Sequence, residues 1–141
     1  MMRSSAEDVL EYLIIKVLAG KDNVVNALSD YFIVGESPSV VALKYGLSKH
    51  QVRGYAQRII EKMGSATKAR VLLKYAVPVV IKIKPIVKKL NGAFVKCMVC
   101  GEELPIQIIE DHIRKKHAAI VEEYMYSTIE LIRRNIAVES R

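Results

Sequence analysis

The chain has 141 residues, of which 51% are hydrophobic and none is tryptophan, and its formal net charge is +7. This length and composition exclude an intrinsically disordered tail and favour one or two small domains with an aliphatic core. No apolar run is long enough to cross a bilayer, because Lys74, Lys82 and Lys84 interrupt the best candidate. The N-terminus is acidic where a signal peptide would be basic, so we expect a cytoplasmic protein.

Two amphipathic helices are predicted near the N-terminus. Ser4 and Glu7 form an S-x-x-E capping box ahead of an apolar stripe that ends at Gly20. A second amphipathic run, "NVVNALSDYFIV", stops at Gly35. Residues 1–36 hold six Asp and Glu against three Lys and Arg, so the positive charge of the chain lies elsewhere.

The next segment has the residue types that a helix-turn-helix needs. A serine–proline pair at 37–38 begins one helix, and Ala42 is small enough for a second helix to cross closely. Gly46 supplies a tight left-handed turn, and Ser48 with Gln51 forms another capping box that begins a longer helix ending at Gly64-Ser65. The apolar contacts expected between the two helices involve Val41, Tyr45, Leu47, Val52 and Tyr55.

The positive charge is concentrated around this motif. Residues 37–96 hold thirteen Lys and Arg against a single acidic residue, Glu61, whereas residues 97–141 hold six against eight. Such an excess is the electrostatic footprint of a protein that binds a polyanion. The alternative is a trihelical core without a nucleic-acid partner, and the charge excess counts against it.

A set of small, apolar and capping residues recurs at fixed offsets between residues 35 and 69. Its members are Gly35, Ser37, Val41, Ala42, Leu47, Ser48, Val52, Arg53, Ile59, Lys62, Met63 and Gly64. This set is similar to the DNA-binding domain of the LuxR (GerE-like) family over roughly residues 22–76, and the pattern also grades into sigma-factor region 4. The departures are Gln51, Tyr55 and Lys68, where the family usually has threonine, histidine and arginine.

The resemblance implies a four-helix unit whose third helix, Lys49 to about Lys62, enters the major groove of double-stranded DNA. Arg53 suits a guanine edge and Gln57 an adenine edge, while His50 is either a contact or a bystander. Basic residues around them are placed to neutralise phosphates. The predicted DNA-binding residues are Lys44, Lys49, His50, Arg53, Gln57, Arg58, Lys62 and Lys68. Gly54 either lets the helix lie close to DNA or eases packing.

Residues 66–90 fit two different structures. Projected at 100° per residue, the apolar side chains fall on one face and the lysines and both prolines on the other, which favours a kinked helix. We therefore expect a basic helical connector over residues 77–92. The alternative is a β-hairpin that turns at 91–92, because "VVIKIK" alternates like a strand and because Pro78 and Pro85 oppose an unbroken helix.

Four residues in the C-terminal third have metal-ligand spacing. Cys97, Cys100, His112 and His117 form C-x2-C-x11-H-x4-H, and two thiolates with two imidazoles complete a tetrahedral structural zinc site. Two cysteines this close favour a metal over a disulfide framework. The alternative is a pair of reduced cysteines beside a helix with coincidental histidines. The spacing resembles a C2H2 zinc finger with a loop that is one residue short.

The same resemblance indicates that this finger is a poor base reader. A DNA-reading finger presents helix positions −1, 3 and 6 to the bases, and these positions correspond here to Pro105, Ile108 and Asp111. Proline has no useful donor, isoleucine offers only apolar contact, and aspartate repels phosphate. We therefore expect the zinc module to support structure or dimerisation.

An apolar stripe continues past His117 at three-four spacing as far as Ile136 and predicts that the finger helix extends towards the C-terminus. Core burial and dimerisation are two ways to cover this stripe. Because helix-turn-helix proteins usually bind two half-sites as dimers, we predict a homodimer through this helix.

These observations predict a mainly α protein in three parts. Residues 1–76 form a helical domain with the helix-turn-helix core at 38–57, residues 77–92 form the kinked basic connector, and residues 93–141 form a ββα-like zinc module with an extended C-terminal helix.

The predicted function is sequence-specific binding of double-stranded DNA by a transcriptional regulator. The alternative is a protein–protein adaptor that binds nucleic acid only non-specifically. We do not expect an enzyme, because four protein ligands leave the metal no open position and His50 has no partner for nucleophilic or acid–base chemistry. Neither a membrane nor a small-molecule substrate is expected as a partner.

Overall fold

The protein is mainly helical, as predicted, in a computed structural model that describes residues 3–139. The helices are α1 (Ser5–Leu18), α2 (Asp22–Ser29), α3 (Pro38–Tyr45), α4 (Lys49–Met63), α5 (Ala66–Val80), α6 (Ile109–Lys116) and α7 (Ala118–Glu139). The strands β1 (Val87–Lys89), β2 (Phe94–Cys97) and β3 (Glu103–Pro105) form one antiparallel sheet in the order β1-β2-β3. Within the described range, every helix is too short or too polar to span a bilayer.

The helix starts follow the capping signals in the sequence. Ser4 with Glu7 and Ser48 with Gln51 both form complete capping boxes, and the Ser37 hydroxyl accepts a hydrogen bond from the Val40 amide. A cap of this kind stabilises a helix by about 1 kcal/mol. The predicted starts of α1, α3 and α4 are therefore confirmed.

The second amphipathic run ends at Gly35, as predicted, but it is not one regular helix. Its last turn, Asp30–Val34, is π-helical, and Gly35 follows in the left-handed conformation with φ of 86°. Phe32 in this turn is buried, and its ring packs edge-on against the Tyr31 ring with 4.9 Å between the ring centroids.

Helix α1 is the centre of the core. Leu13, Ile14, Ile15 and Leu18 are each at most 1% exposed, and α1 contacts α2, α4, α5, α6 and α7. A helix that is apolar on nearly every side is stable only when other elements surround it. The elements before and after residue 92 therefore share this helix as their common support.

The favoured helix is found only as far as Val80, and it is wrong for the rest of residues 77–92. The chain does turn at 91–92, as the hairpin alternative predicts, but the strand before that turn is Val87–Lys89 and not the run "VVIKIK". Helix α5 ends at Val80, and β1 pairs with β2 so that Val87 lies opposite Cys97. Pro78 is tolerated because it is exposed near the helix end, whereas Pro85 lacks an amide donor and disfavours helical geometry at the residue before it. Gly92, with φ of 71°, lies in the turn between the two strands.

The expected continuous helix past His117 is also wrong, because α6 ends at Lys116 and α7 begins at Ala118. His117 between them has φ of −122° and ψ of 35°. In an unbroken helix, five residues would turn the side chains of His112 and His117 about 140° apart. The break allows both imidazoles to face the same pair of cysteines. Helix α7 then packs on α1 and α5.

Candidate metal centre and nucleic-acid interface

Helices α3 and α4 meet through a small apolar cluster. Val41, Ala42 and Val52 are buried there together with Ala27 of α2, and Tyr45 and Leu47 pack at its edge. Gly46 ends α3 in the left-handed conformation with φ of 68°. Among the predicted contacts between the two helices, Tyr55 differs, because it packs on the main core instead.

The eight predicted DNA-binding residues are all exposed. They differ in whether their side chains contact other side chains of the protein. Lys49, His50 and Arg53 lie in the first half of α4, and no hydrogen-bond or ion-pair partner for their side chains is found among residues 3–139. An added Cβ at Gly54 would meet nothing within 4 Å. Packing inside the chain therefore does not require a glycine at position 54.

The remaining residues of α4 in this set have intramolecular contacts. The Gln57 amide donates to Glu61 at 3.1 Å, the Arg58 guanidinium lies 5.9 Å from the centre of the Tyr12 ring, and Lys62 Nζ is 3.6 Å from Asp8 Oδ2. These contacts draw Arg58 and Lys62 towards α1. The predicted DNA-binding side chains of α4 that lack a hydrogen-bond, ion-pair or aromatic partner among residues 3–139 consequently lie in its N-terminal half.

Lys44 and Lys68 lie outside α4. Lys44 Nζ donates to Asp30 at 2.8 Å and to Glu36 at 3.1 Å, and these hydrogen bonds raise the pKa of Lys44 above its ordinary value. Two carboxylates thus already neutralise this lysine. Lys68 is exposed in the first turn of α5, where its backbone amide donates to Ser65 Oγ.

Cys97, Cys100, His112 and His117 come together at the junction of the sheet and α6, with their ligand atoms all within 4.8 Å of one another. Cys97 Sγ is 3.4 Å from His117 Nε2, and Cys100 Sγ is 3.4 Å from His112 Nε2. In a tetrahedral site with usual zinc–sulfur and zinc–nitrogen bonds, such a pair lies about 3.5 Å apart. Both cysteines are free thiols, so the donor set fits a metal ion.

Short backbone contacts position the two thiols. The Gly101 amide donates to the Cys97 carbonyl at 2.8 Å, and the Cys97 amide donates to the Glu102 carbonyl at 2.8 Å. Gly101 adopts φ of 81°, which favours glycine at this turn. The knuckle between β2 and β3 therefore holds both sulfurs towards α6.

A carboxylate outside the Cys2His2 set lies behind His112. Glu102 Oε2 is 3.3 Å from His112 Nδ1 and 3.3 Å from Lys116 Nζ. A carboxylate on the second ring nitrogen fixes a metal-binding histidine in the tautomer and orientation that ligation requires. The only signal for this role in the sequence is the position of Glu102 two residues after Cys100.

His117 is biased towards the form that binds metal. Partial burial lowers the pKa of His117 below its ordinary value, and the neighbouring His112 and Lys116 act in the same direction, whereas Glu102 opposes them. A neutral imidazole is the species that coordinates a metal ion.

A buried ion pair joins the metal cluster to the helices. Lys16 of α1 is 6% exposed, and its Nζ lies 2.9 Å from Glu110 Oε1 of α6 and 5.1 Å from the centre of the Tyr55 ring of α4. Lys21 Nζ lies 2.5 Å from Oε2, the other carboxylate oxygen of Glu110. Burial acts to raise the pKa of Glu110, but the hydrogen bonds from Lys21 and Lys16 outweigh it, and this pKa lies below its ordinary value.

The fold and the site define a mainly helical protein in which a Cys2His2 cluster links a three-stranded sheet to a helix. Comparison with protein-family models, curated proteins and solved structures finds no match to this chain. Function must therefore be argued from the geometry of the chain itself.

Proposed function

We propose that the protein binds double-stranded DNA sequence-specifically through α4 and acts as a transcriptional regulator. The observation that carries this proposal is the uncompensated basic face of Lys49, His50 and Arg53 at the start of α4. Many other cations of the chain have carboxylate partners, including Lys16, Lys21, Lys44, Lys62 and Lys74.

This face has the chemistry of base readout in the major groove. An arginine can bind guanine O6 and N7 with two hydrogen bonds, which discriminates against other bases by about 1–3 kcal/mol. Gly54 adjoins Arg53 and has no packing role inside the chain. A glycine inside a helix costs about 1 kcal/mol relative to alanine, and close approach of DNA is the function that we assign to it.

We propose that the Cys2His2 cluster binds Zn2+ as a structural ion. The ion would hold the knuckle, α6 and the α6–α7 break in one arrangement. Four protein ligands fill a tetrahedral site and leave no position for a substrate or a reactive water, so we assign no catalysis to it. A thiolate site of this kind suits the reducing cytoplasm.

We further propose that α7 forms a homodimer interface. The first half of α7 buries Val121, Met125 and Thr128 inside the chain. Its second half leaves Leu131 43% and Val138 69% exposed. A second copy would cover these side chains and present two α4 helices to two half-sites.

The test of the DNA-binding proposal compares Arg53→Ala on two duplexes, a sequence selected from a random pool and a scrambled duplex. We expect affinity for the selected duplex to fall by about 1–3 kcal/mol and affinity for the scrambled duplex to change less. Lys115→Ala, which removes an exposed cation on α6, is the matched control and should leave both affinities unchanged. An equal loss of affinity on both duplexes would contradict a reading role for Arg53.

A second candidate function is that of a protein–protein adaptor with loose nucleic-acid binding. A groove of about 530 Å³ between the end of α5 and α7 favours it, with Val79, Ile83, Tyr124 and Leu131 among its lining residues. A gel shift with excess non-specific competitor separates the two functions. A single sequence-dependent band that persists supports the regulator, whereas complete loss of the shifted band supports the adaptor.

A further inference from the structure

The lysines of the basic segment, residues 37–96, lie partly on helices and partly on the sheet and the loop before it. Five of them, Lys82, Lys84, Lys88, Lys89 and Lys96, belong to the loop before β1 and to the β1–β2 hairpin. The first four lie in the segment for which the sequence predicts a helical connector. The hairpin instead places β1 in the same sheet as Cys97. The sheet and α6, which together carry the Cys2His2 cluster, are called the metal module here, and this module has a basic surface of its own.

These five lysines lack ion-pair partners within the described part of the chain, residues 3–139. Four are exposed, and Lys96 is half-buried. By contrast, Lys116 and Arg114, on the helix of the same module, are both paired with carboxylates. The hairpin thus carries most of the uncompensated positive charge of the metal module.

In the register of the hairpin, two of these positively charged residues are cross-strand partners. Lys88 of β1 lies directly opposite Lys96 of β2. Like charges in directly opposed positions destabilise a strand pair. On the other side of Lys96, Glu103 of β3 is its cross-strand neighbour and offsets only part of the charge. A bound anion would relieve the remaining repulsion.

An exposed aromatic ring lies on the same outward face as Lys96. Burial alternates along β2, so that Val95 and Cys97 point inwards while Phe94 and Lys96 point outwards. Phe94 is 50% exposed, although it is a large apolar side chain. Basic residues next to an accessible ring are the combination by which proteins contact the phosphates and the bases or sugars of nucleic acids.

We propose that the basic surface of the β1–β2 hairpin, formed by Lys88, Lys89 and Lys96 together with Phe94, is a second nucleic-acid contact that binds the phosphate backbone. The inference rests on the proposed function, because it takes the DNA bound by α4 as the ligand. A duplex is a long polyanion that can contact both surfaces of one chain. Proteins that lie on membranes typically insert the apolar face of a helix, whereas these lysines lie on a strand pair.

The test compares two double variants that each lose two positive charges. Lys88→Gln/Lys89→Gln alters the hairpin, and Arg70→Gln/Lys115→Gln alters exposed cations on α5 and α6. We expect the hairpin variant to reduce the slope of log affinity against log salt by about 1.8, since each lost phosphate contact contributes about 0.9. The control variant should keep the wild-type slope. Zinc content and melting temperature verify the fold, and neither should fall in the hairpin variant, because it removes a like-charge pair.

A third variant, Lys49→Gln/Arg53→Gln, separates this inference from the proposed function. If the hairpin variant keeps the wild-type slope while the α4 variant loses selected-duplex affinity, the hairpin inference is wrong and the α4 proposal stands. If the hairpin variant alone weakens duplex binding, the inference stands and the α4 proposal fails.

Two further outcomes would overturn the inference. One is that the wild-type chain binds no duplex at all, which would also remove the proposed function. The other is that the hairpin variant loses binding to phosphatidylcholine vesicles containing phosphatidylserine while its duplex binding is unchanged, because the ligand would then be a lipid surface.

Discussion

Gly54 destabilises α4 relative to alanine, yet nothing in the packing around this position requires a glycine. It lies in the middle of α4 on the exposed side, and a side chain there would contact nothing within 4 Å. Its presence is therefore explained neither by packing nor by a left-handed backbone. The proposed close approach of DNA to α4 would account for a glycine at this position.

Gly54→Ala should raise stability and lower DNA affinity at the same time. The added Cβ removes the helix penalty of glycine, so we expect the free energy of unfolding to rise by about 1 kcal/mol in urea denaturation. The same Cβ would lie between α4 and the bases, and selected-duplex affinity should fall in fluorescence anisotropy titrations. Unchanged affinity in the more stable variant would show that α4 does not approach DNA at this position.

Glu102 is the residue of the metal centre that spacing alone does not identify. Cysteines and histidines are recognised by type and interval, whereas a carboxylate that orients a ligand is recognised only when its distance to that ligand is known. Glu102 Oε2 lies 3.3 Å from His112 Nδ1. The four metal ligands could thus be predicted from the sequence, but the residue that positions one of them could not.

Glu102→Ala should weaken zinc binding by about 10- to 100-fold, which is the usual cost of removing such an orienting partner. Competition with a chromophoric chelator measures the affinity. Glu102→Gln should fall between the wild type and the alanine variant, because its carbonyl oxygen can still accept the Nδ1 proton. Glu103→Ala, the exposed neighbour, is the control, and an equal loss in that variant would contradict the assignment.

At the scale of elements, the sequence predicts what is local. Capping boxes and a turn glycine determine the starts of α1, α3 and α4 and the turn at Gly46, because their hydrogen bonds join residues three or four positions apart. The sequence favours a kinked helix over residues 77–92, because the apolar side chains of residues 66–90 fall on one face at helical spacing. Pairing of β1 with β2 decides between helix and hairpin, and this pairing depends on a sheet that also includes β3.

The ion pair between α1 and α6 was not predicted for a similar reason. Lys16 lies in an apolar helix and Glu110 in a distant acidic segment, and neither is informative alone. Together they form a contact with Lys16 6% exposed. Removing one partner of a buried ion pair is costly, because it leaves the other charge uncompensated.

Glu110→Gln should therefore lower the free energy of unfolding by about 3 kcal/mol, since Lys16 would remain buried without a carboxylate. Urea denaturation of the zinc-loaded protein measures the change. Asp111→Asn is the matched control on the same helix, because Asp111 pairs with Arg114 at the surface, and exposed pairs contribute at most about 1 kcal/mol. Similar losses in the two variants would mean that the Lys16–Glu110 pair adds nothing beyond a surface pair.

At the scale of the whole molecule, the two ends of the chain are built around one helix. Helices α4 and α6 both contact α1, and α7 returns to pack on α1 and α5. The Ile86 amide also donates to the Leu18 carbonyl at the end of α1, which anchors the entry to the sheet. The basic surfaces of α4 and of the hairpin are thus attached to the same core.

This shared core has a consequence for anyone who wishes to transplant α4 into another protein. A cut at residue 92 would separate β1 from β2 and would strip α1 of both α6 and α7. The excised half would lose the cover that α6 and α7 give to α1, a helix that is buried on nearly every side in the intact chain. The proposed DNA-binding surface is therefore best altered by changing single side chains along α4, not by exchanging halves of the chain.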